Sequence, residues 1–231
     1  MASGIFIFLL RVSRTVRNAL FALVLVVVLC TGCVQTQGPV TLSPVEVNNY
    51  SGQKLSSVND FVDTSINGTQ YINVSTYRLS ITGLVDNPEE YTYAQVIDDH
   101  QSYQKVVTLN CVEGWSATIL WQGVLVRDLL NEAGPKPGAT TVIFEGSDGY
   151  TSEFPISYFY DNDILMAYKL NNITLPAAEG FPFILVAENK WGYKWVEWIT
   201  EINVSNDTSY EGYWESRGYS DSGDLNQSFI K

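Results

Sequence analysis

Period-two alternation is clearest in Tyr77-Arg-Leu-Ser-Ile-Thr-Gly83, which predicts a strand closed by the turn Leu84-Val-Asp-Asn-Pro88. Thr92 is placed to cap a short helix over Tyr93–Asp98, and Lys105–Leu109 reads as the next strand. Leu125, Leu129 and Leu130 share one face of a helix over Leu125–Glu132, which Gly134 and Pro135 end. Thr141–Glu145 and Tyr150–Phe154 flank Gly146-Ser-Asp-Gly149, a hairpin signal. Ile164–Leu170 is a strand closed by Asn171-Asn172. The continuous apolar run Phe183–Ala187 is a buried strand, and Trp195–Val204 alternates as the last core strand. The pattern predicts an α+β domain of β-rich mixed sheets with short helices over residues 71–204.

The flanks differ. Residues 34–70 are polar, rich in Ser, Asn, Thr and Gln, and read as a linker. Residues 205–231 are polar too, but Tyr210, Tyr213, Trp214 and Tyr219 predict a tail that packs back on the domain. Residues 1–33 carry Arg11, Arg14 and Arg17 ahead of the apolar run Ala19–Leu29, which is short for a bilayer span of ~20 residues. The stretch ends in Leu29-Cys-Thr-Gly-Cys33. This is a signal-peptide layout whose end resembles a lipobox, with Cys33 as the lipidation site; the alternative is a retained hydrophobic anchor. Either one places the rest of the chain outside the cytoplasm, on a membrane. Seven Asn-x-Ser/Thr sequons, at Asn49, Asn67, Asn73, Asn172, Asn203, Asn206 and Asn226, read as surface positions of a secreted glycoprotein.

Charge narrows the partners. Without the three leader arginines, ten Lys plus Arg face 25 Asp plus Glu, a net charge of −15. A nucleic-acid partner needs a basic footprint and is excluded. The sole histidine, His100, reads as a surface-loop residue, so a His-based metal cluster or a Ser-His-Asp site has no material. Walker-type and dinucleotide-binding glycine loops are absent as well. The remaining chemistry is a thiol. Cys111 follows a strand and opens the loop Val112-Glu-Gly-Trp-Ser116, and Cys30 and Cys33 both lie in the leader region. A thiolate serves as a soft metal ligand or a nucleophile, and a buried cysteine is also an ordinary core residue.

Thr108-Leu-Asn-Cys-Val-Glu-Gly-Trp-Ser116, with Trp121-Gln-Gly-Val-Leu125 and Leu129-Leu130 after it, resembles the signature of the sulfite oxidase-type molybdopterin-binding domain. Family-like segments follow in order: Arg78–Pro88, Ser147-Asp-Gly-Tyr150, Gly180-Phe-Pro182, Trp191-Gly-Tyr-Lys-Trp-Val-Glu-Trp198 and Gly212–Tyr219. The resemblance spans roughly residues 72–222. It implies a molybdenum-bound molybdopterin cofactor with Cys111 as metal ligand and catalytic residue. It implies that Ser147, Lys190, Gly192, Tyr193 and Lys194 bind the cofactor, Lys194 by neutralising its phosphate, and that Asp148 and Tyr150 stand at the catalytic pocket. Two positions depart from the family pattern: Ile184 stands where an arginine is usual, and Glu197 where a second basic residue is usual.

The expected function is a molybdopterin-dependent oxidoreductase at the outer membrane face. It would carry out two-electron oxygen-atom transfer on a small-molecule substrate and pass electrons to a separate carrier. The alternatives are a cofactor-free extracellular binding module on the same fold and a thiol-based redox lipoprotein that needs an exposed, low-pKa Cys111.

Overall fold

Asn171 shows how this chain joins its parts. In the computed structural model, which describes residues 45–231, its side chain is fully buried. Its Oδ1 accepts from Leu120 N at 3.0 Å, and its Nδ2 donates to Glu46 Oε1 and Ser56 O, both at 2.8 Å. A buried amide with every polar atom paired is rigid. It staples residues 46–56 to the first sheet. The expected linker therefore differs from the structure over residues 45–70: Leu55 is buried and Phe61 packs edge-on to Trp115 and Trp121. Those few apolar side chains find a slot prepared by the aromatics of the domain. The leader, Cys33 and residues 34–44 lie outside the described residues.

The first sheet runs β10 (Ile173–Thr174), β9 (Leu165–Leu170), β6 (Ser116–Leu125), β5 (Tyr103–Asn110), with β11 (Ile184–Val186) also paired to β9. All its pairings are antiparallel. The central strand β6 is covered on both sides: Ala117, Ile119, Leu120, Trp121, Val124 and Leu125 are all buried. Gly123 sits at its bulge, where a Cβ would come within 2.1 Å of Met166 O. Only glycine permits that approach. The second sheet runs β4 (Glu89–Tyr91), β3 (Leu79–Gly83), β12 (Ile199–Ser205), β7 (Thr141–Gly146), β8 (Thr151–Pro155). Its β3–β12 pair is parallel. A two-stranded ribbon, β1 (Asn49–Tyr50) and β2 (Gln53–Lys54), completes the sheets.

Among the described residues three short α-helices decorate this frame. In α1 (Tyr93–Asp99), Thr92 and Gln95 form a reciprocal capping box. In α2 (Val126–Ala133), Val126, Leu129, Leu130 and Ala133 are buried on one face at helical spacing, and Gly134 ends the helix at φ 67° with its N–H on Leu130 O. Burial of each large side chain there stabilises by roughly 1.5–3 kcal/mol. The third helix, α3 (Ile156–Asp161), follows β8 directly. Architecture and class agree with the α+β, β-rich expectation.

Two local expectations change. His100 is no surface-loop residue: it caps α1, its side chain is 4% exposed, its ring stands edge-on to Tyr91, and Nε2 lies 3.3 Å from Glu132. Asn203 is no free surface sequon, because it lies in β12 and its amide donates to Thr82 Oγ1 at 3.0 Å.

Candidate active site at the Cys111 loop

The strand pair β5–β6 ends in a five-residue loop with Cys111 at its start. Cys111 N donates to Trp115 O at 2.9 Å and Gly114 N to Cys111 O at 3.1 Å, which fixes the turn. A parallel bridge from Asn110 to Trp191 then brings in the Gly192–Lys194 turn. Gly192 is the close approach: a Cβ there would stand 3.3 Å from Asn110 O and 3.5 Å from the Cys111 Cα. The β7–β8 loop arrives from the second sheet, with Asp148 Oδ1 accepting from Tyr150 N at 3.0 Å.

These pieces enclose a cavity of about 290 Å³. Cys111, Gly192, Tyr193, Asp148 and Tyr150 all line it, so the structure gathers five of the expected site residues around one space. Trp115, Trp195, Trp198, Trp214 and Tyr219 supply further aromatic wall. Trp198 holds a positive φ of 50°, unusual for a bulky residue; its Nε1 donates to Ala177 O, and its own carbonyl accepts from Ser147 N.

Cys111 is 8% exposed and free of any disulfide. Burial pushes its thiol pKa up, only partly offset by hydrogen bonding from the Glu113 and Val112 backbone. The redox-lipoprotein reading required an exposed, acidified thiol, and this geometry opposes it. Tyr150 faces the cavity, but its hydroxyl donates to Tyr193 O, and burial raises its pKa well above the ordinary phenol value. It is thus held as a wall and positioning group rather than a free proton donor.

The expected basic residues are elsewhere. Lys194 is 1% exposed and does not line the cavity. Its ammonium donates to Glu215 Oε1 at 2.6 Å, Glu153 O at 2.7 Å, Asp221 O at 3.0 Å and Glu153 Oε1 at 3.3 Å. Every donor of Lys194 is thus committed to a carboxylate or carbonyl in this structure, away from the cavity beside Cys111. Lys190 pairs with Asp224 at 2.5 Å and lies over the Tyr158 ring, and it too is outside the lining. Ser147 contributes its backbone N–H to Trp198 and is likewise outside.

Sequence reasoning missed the segment Phe61–Ile66, which lines one side, and Glu179, which lines another. The signal for the first was the cluster Phe61, Val62 and Ile66 in otherwise polar surroundings. Among the described residues the lining holds Asp63, Glu113, Asp148, Glu179 and Glu197 and no lysine or arginine. Burial and then repulsion from Glu179, Asp148 and Asp63 raise the Glu197 carboxyl well above the usual range. Glu179 is pushed up to about 7 by burial and by Asp63.

Residues 66–214 match the model of the oxidoreductase molybdopterin binding domain. The uncharacterized oxidoreductase YuiH of Bacillus subtilis is 32% identical over 155 residues, which cover 67% of this chain and 77% of that protein. A putative protein-methionine-sulfoxide reductase subunit, YedZ1 of Azospira oryzae, is 33% identical over 64% of this chain, but only 56% of the relative is spanned. Rat mitochondrial sulfite oxidase is 27% identical, with 32% of its length spanned. Among solved structures, the sulfane dehydrogenase SoxCD from Paracoccus pantotrophus superposes with a TM-score of 0.58 at 23% identity, covering 61% of this chain and 41% of that one, a likeness of fold. With its ordered motifs, its sheets and a family match over more than half its length, this chain belongs to the oxidoreductase molybdopterin-binding domain family.

Proposed function

We propose that the chain is a molybdopterin-dependent oxidoreductase whose reacting centre is the Cys111 cavity, performing two-electron oxygen-atom transfer on a small substrate at the outer membrane face. The observation that carries this reading is Cys111 itself. Among the described residues it is the one cysteine, unpaired, at the wall of an aromatic-lined cavity. A metal bound there would displace the thiol proton to solvent, and thiolate suits a high-valent metal.

The donor set fits the metal end of the cofactor: Cys111 offers sulfur, and Gly192 leaves the backbone open beside it. When bound, the group supplies a metal that exchanges two electrons and an oxygen atom, with water as the oxygen source or product. The chain's own residues do the rest. The Trp115 and Tyr193 rings exclude bulk water, Asp148 fixes the turn that presents Tyr150, and Tyr150 ties that turn to the Gly192–Lys194 segment through the Tyr193 carbonyl. Electrons are exchanged with a separate carrier and protons with solvent, outward when water is the oxygen source and inward when it is the product. The leader of residues 1–33, by lipid on Cys33 or as a hydrophobic anchor, tethers the domain outside the cytoplasm.

That no lysine or arginine lines the cavity among the described residues favours a second reading, a cofactor-free binding module on the same fold. Elemental analysis decides between them. Full-length protein from a cofactor-competent host is expected to carry near-stoichiometric molybdenum and pterin, with altered optical bands in Cys111→Ser. Folded protein that takes up neither, even after reconstitution, would overturn the enzyme reading.

A further inference from the structure

We propose that residues 61–75 form a lid over the Cys111 cavity, a strap tied at both ends that lifts to admit the cavity's ligand from solvent. The first observation is how the strap is held. Ahead of it, Ser56 N donates to Thr118 O at 2.8 Å and Thr118 N to Ser56 Oγ at 3.0 Å; behind it, the Tyr77 hydroxyl donates to Ile199 O at 2.5 Å. Between these ties, no hydrogen bond from residues 61–75 reaches either sheet among the described residues. The bonds made there are local: Ser65 N to Asp63 Oδ1, Gln70 Nε2 to the Asn67 and Gly68 carbonyls, and the turn that Asn73 organises. What holds the strap down is apolar contact. Phe61 stands edge-on to Trp115 and Trp121, and Ile66 and Ile72 are partly buried against the core, while Val62 and Tyr71 are exposed. A segment with so few ties opens at far lower free energy than the sheets beneath it.

The second observation is position. Phe61–Ile66 lines the cavity beside Cys111, so lifting the strap removes one wall. The third is that closure is imperfect. Ser65 Oγ and the Nε1 of Trp115, the indole that Phe61 covers, are buried without a hydrogen-bond partner among the described residues, a cost that opening to water relieves. Closure also sets Asp63 against Glu179 and Glu197: burial raises both carboxyls, and Asp63 adds to the rise in each. The fourth is size. With the strap down the cavity is about 290 Å³, at the bottom of the ~300–1,000 Å³ range of small-molecule sites, so a pterin-sized group enters only if a wall moves. That the ligand is the pterin rests on the function proposed above; the lid itself does not.

The test reads entry to the cavity at Cys111. Metal-free full-length protein is treated with N-ethylmaleimide at pH 8, and Cys111 is followed by peptide mass spectrometry, apart from Cys30 and Cys33. A lifting strap exposes little surface, so the wild-type rate is expected to stay nearly flat in low urea, whereas entry by global unfolding would climb steeply. Phe61→Ala removes both aromatic contacts and is expected to speed modification by about tenfold or more. Asp63→Asn keeps the oxygen that accepts from Ser65 N and removes the repulsion at a pH where Glu179 is ionised, so it is expected to slow modification by about twofold. Should Phe61→Ala fail to fold, Asp63→Asn decides alone. Rates unchanged in the folded variants overturn the inference, as does a wild-type rate that tracks global unfolding. Molybdenum is measured on protein from a cofactor-competent host. Protein that loads the metal but whose metal-free form shows no such response overturns this inference alone. Protein that shows the response and takes up no molybdenum supports the lid while removing the enzyme reading.

Discussion

Replacing Lys194 with methionine separates a structural lysine from a phosphate-binding one. The methionine keeps an unbranched apolar stem, including contact near the Phe154 ring that now lies 4.7 Å from the ammonium, so little packing is lost. What is lost is charge. The Glu215 side chain is fully buried, and without Lys194 its Oε1 keeps only Ser152 Oγ at 2.7 Å, while its Oε2 already has no partner. Glu153 loses its cation as well. Removing one partner of a buried pair costs roughly 3–5 kcal/mol. At about 2–4 °C per kcal/mol for a domain of this size, the melting temperature of cofactor-free protein should fall by about 6–20 °C.

Adding Glu215→Gln in the Lys194→Met background should recover about half of that loss, because the stranded charge is then gone. The assay is thermal unfolding by circular dichroism for wild type, both single variants and the double variant at pH 7.5, completed as a double-mutant cycle. Burial, partly countered by Lys194, already pushes Glu153 up to about 7, so the penalty for Lys194→Met should shrink at pH 5, where that carboxyl is protonated. A fall of less than about 3 °C with no coupling to Glu215 would refute the reasoning. Lys194 would then be free to serve a ligand.

Other consequences are simpler to read. Glu153 and Glu179 both have folded-state values near 7, raised from 4.5. Raised acids bind protons more tightly in the folded state, so their contribution is complete below pH 4.5 and is lost as pH climbs through 7. Melting temperature should therefore be higher at pH 5.5 than at pH 8, and a flat profile would contradict the burial of these carboxyls. Because burial raises its pKa, Cys111 in metal-free native protein should react with iodoacetamide far more slowly than in urea at the same pH; rapid alkylation at pH 7 would mean an exposed thiolate. Gly123→Ala drives a Cβ to 2.1 Å from Met166 O in the central strand pair, so the variant should lose at least about 3 kcal/mol or fail to fold, read by urea titration.

Legibility from sequence followed the strength of the local signal. The capped helix α1, the α2 stripe with its glycine stop and the Gly146–Gly149 hairpin were readable because turn chemistry and period agreed at each. The strand β6 was not read as a strand. Buried on both faces, it has no alternation, and Trp115–Leu125 presents itself as a loop running into a helix. The segment 45–66 was hidden because its order comes from partners far along the chain, chiefly Asn171 and Trp121. At the site, motif order placed Cys111, Gly192, Tyr193, Asp148 and Tyr150 around one cavity. The partner of Lys194 was not legible, because the carboxylate it pairs with, Glu215, comes from a tail with no strand period to fix its position.

The parallel pair β3–β12 also sets a schedule. Thr82 and Asn203, hydrogen-bonded neighbours in the finished sheet, are 121 residues apart. The first core strand must wait for the last before its sheet can close, and long-range pairings of this kind form slowly. The β7–β8 loop that carries Asp148 and Tyr150 hangs from β7, which itself pairs with β12. A ribosome still extending the chain thus holds only half a pocket, and any ligand of the Cys111 cavity must be captured after synthesis of residues 199–205, by a molecule that has already folded.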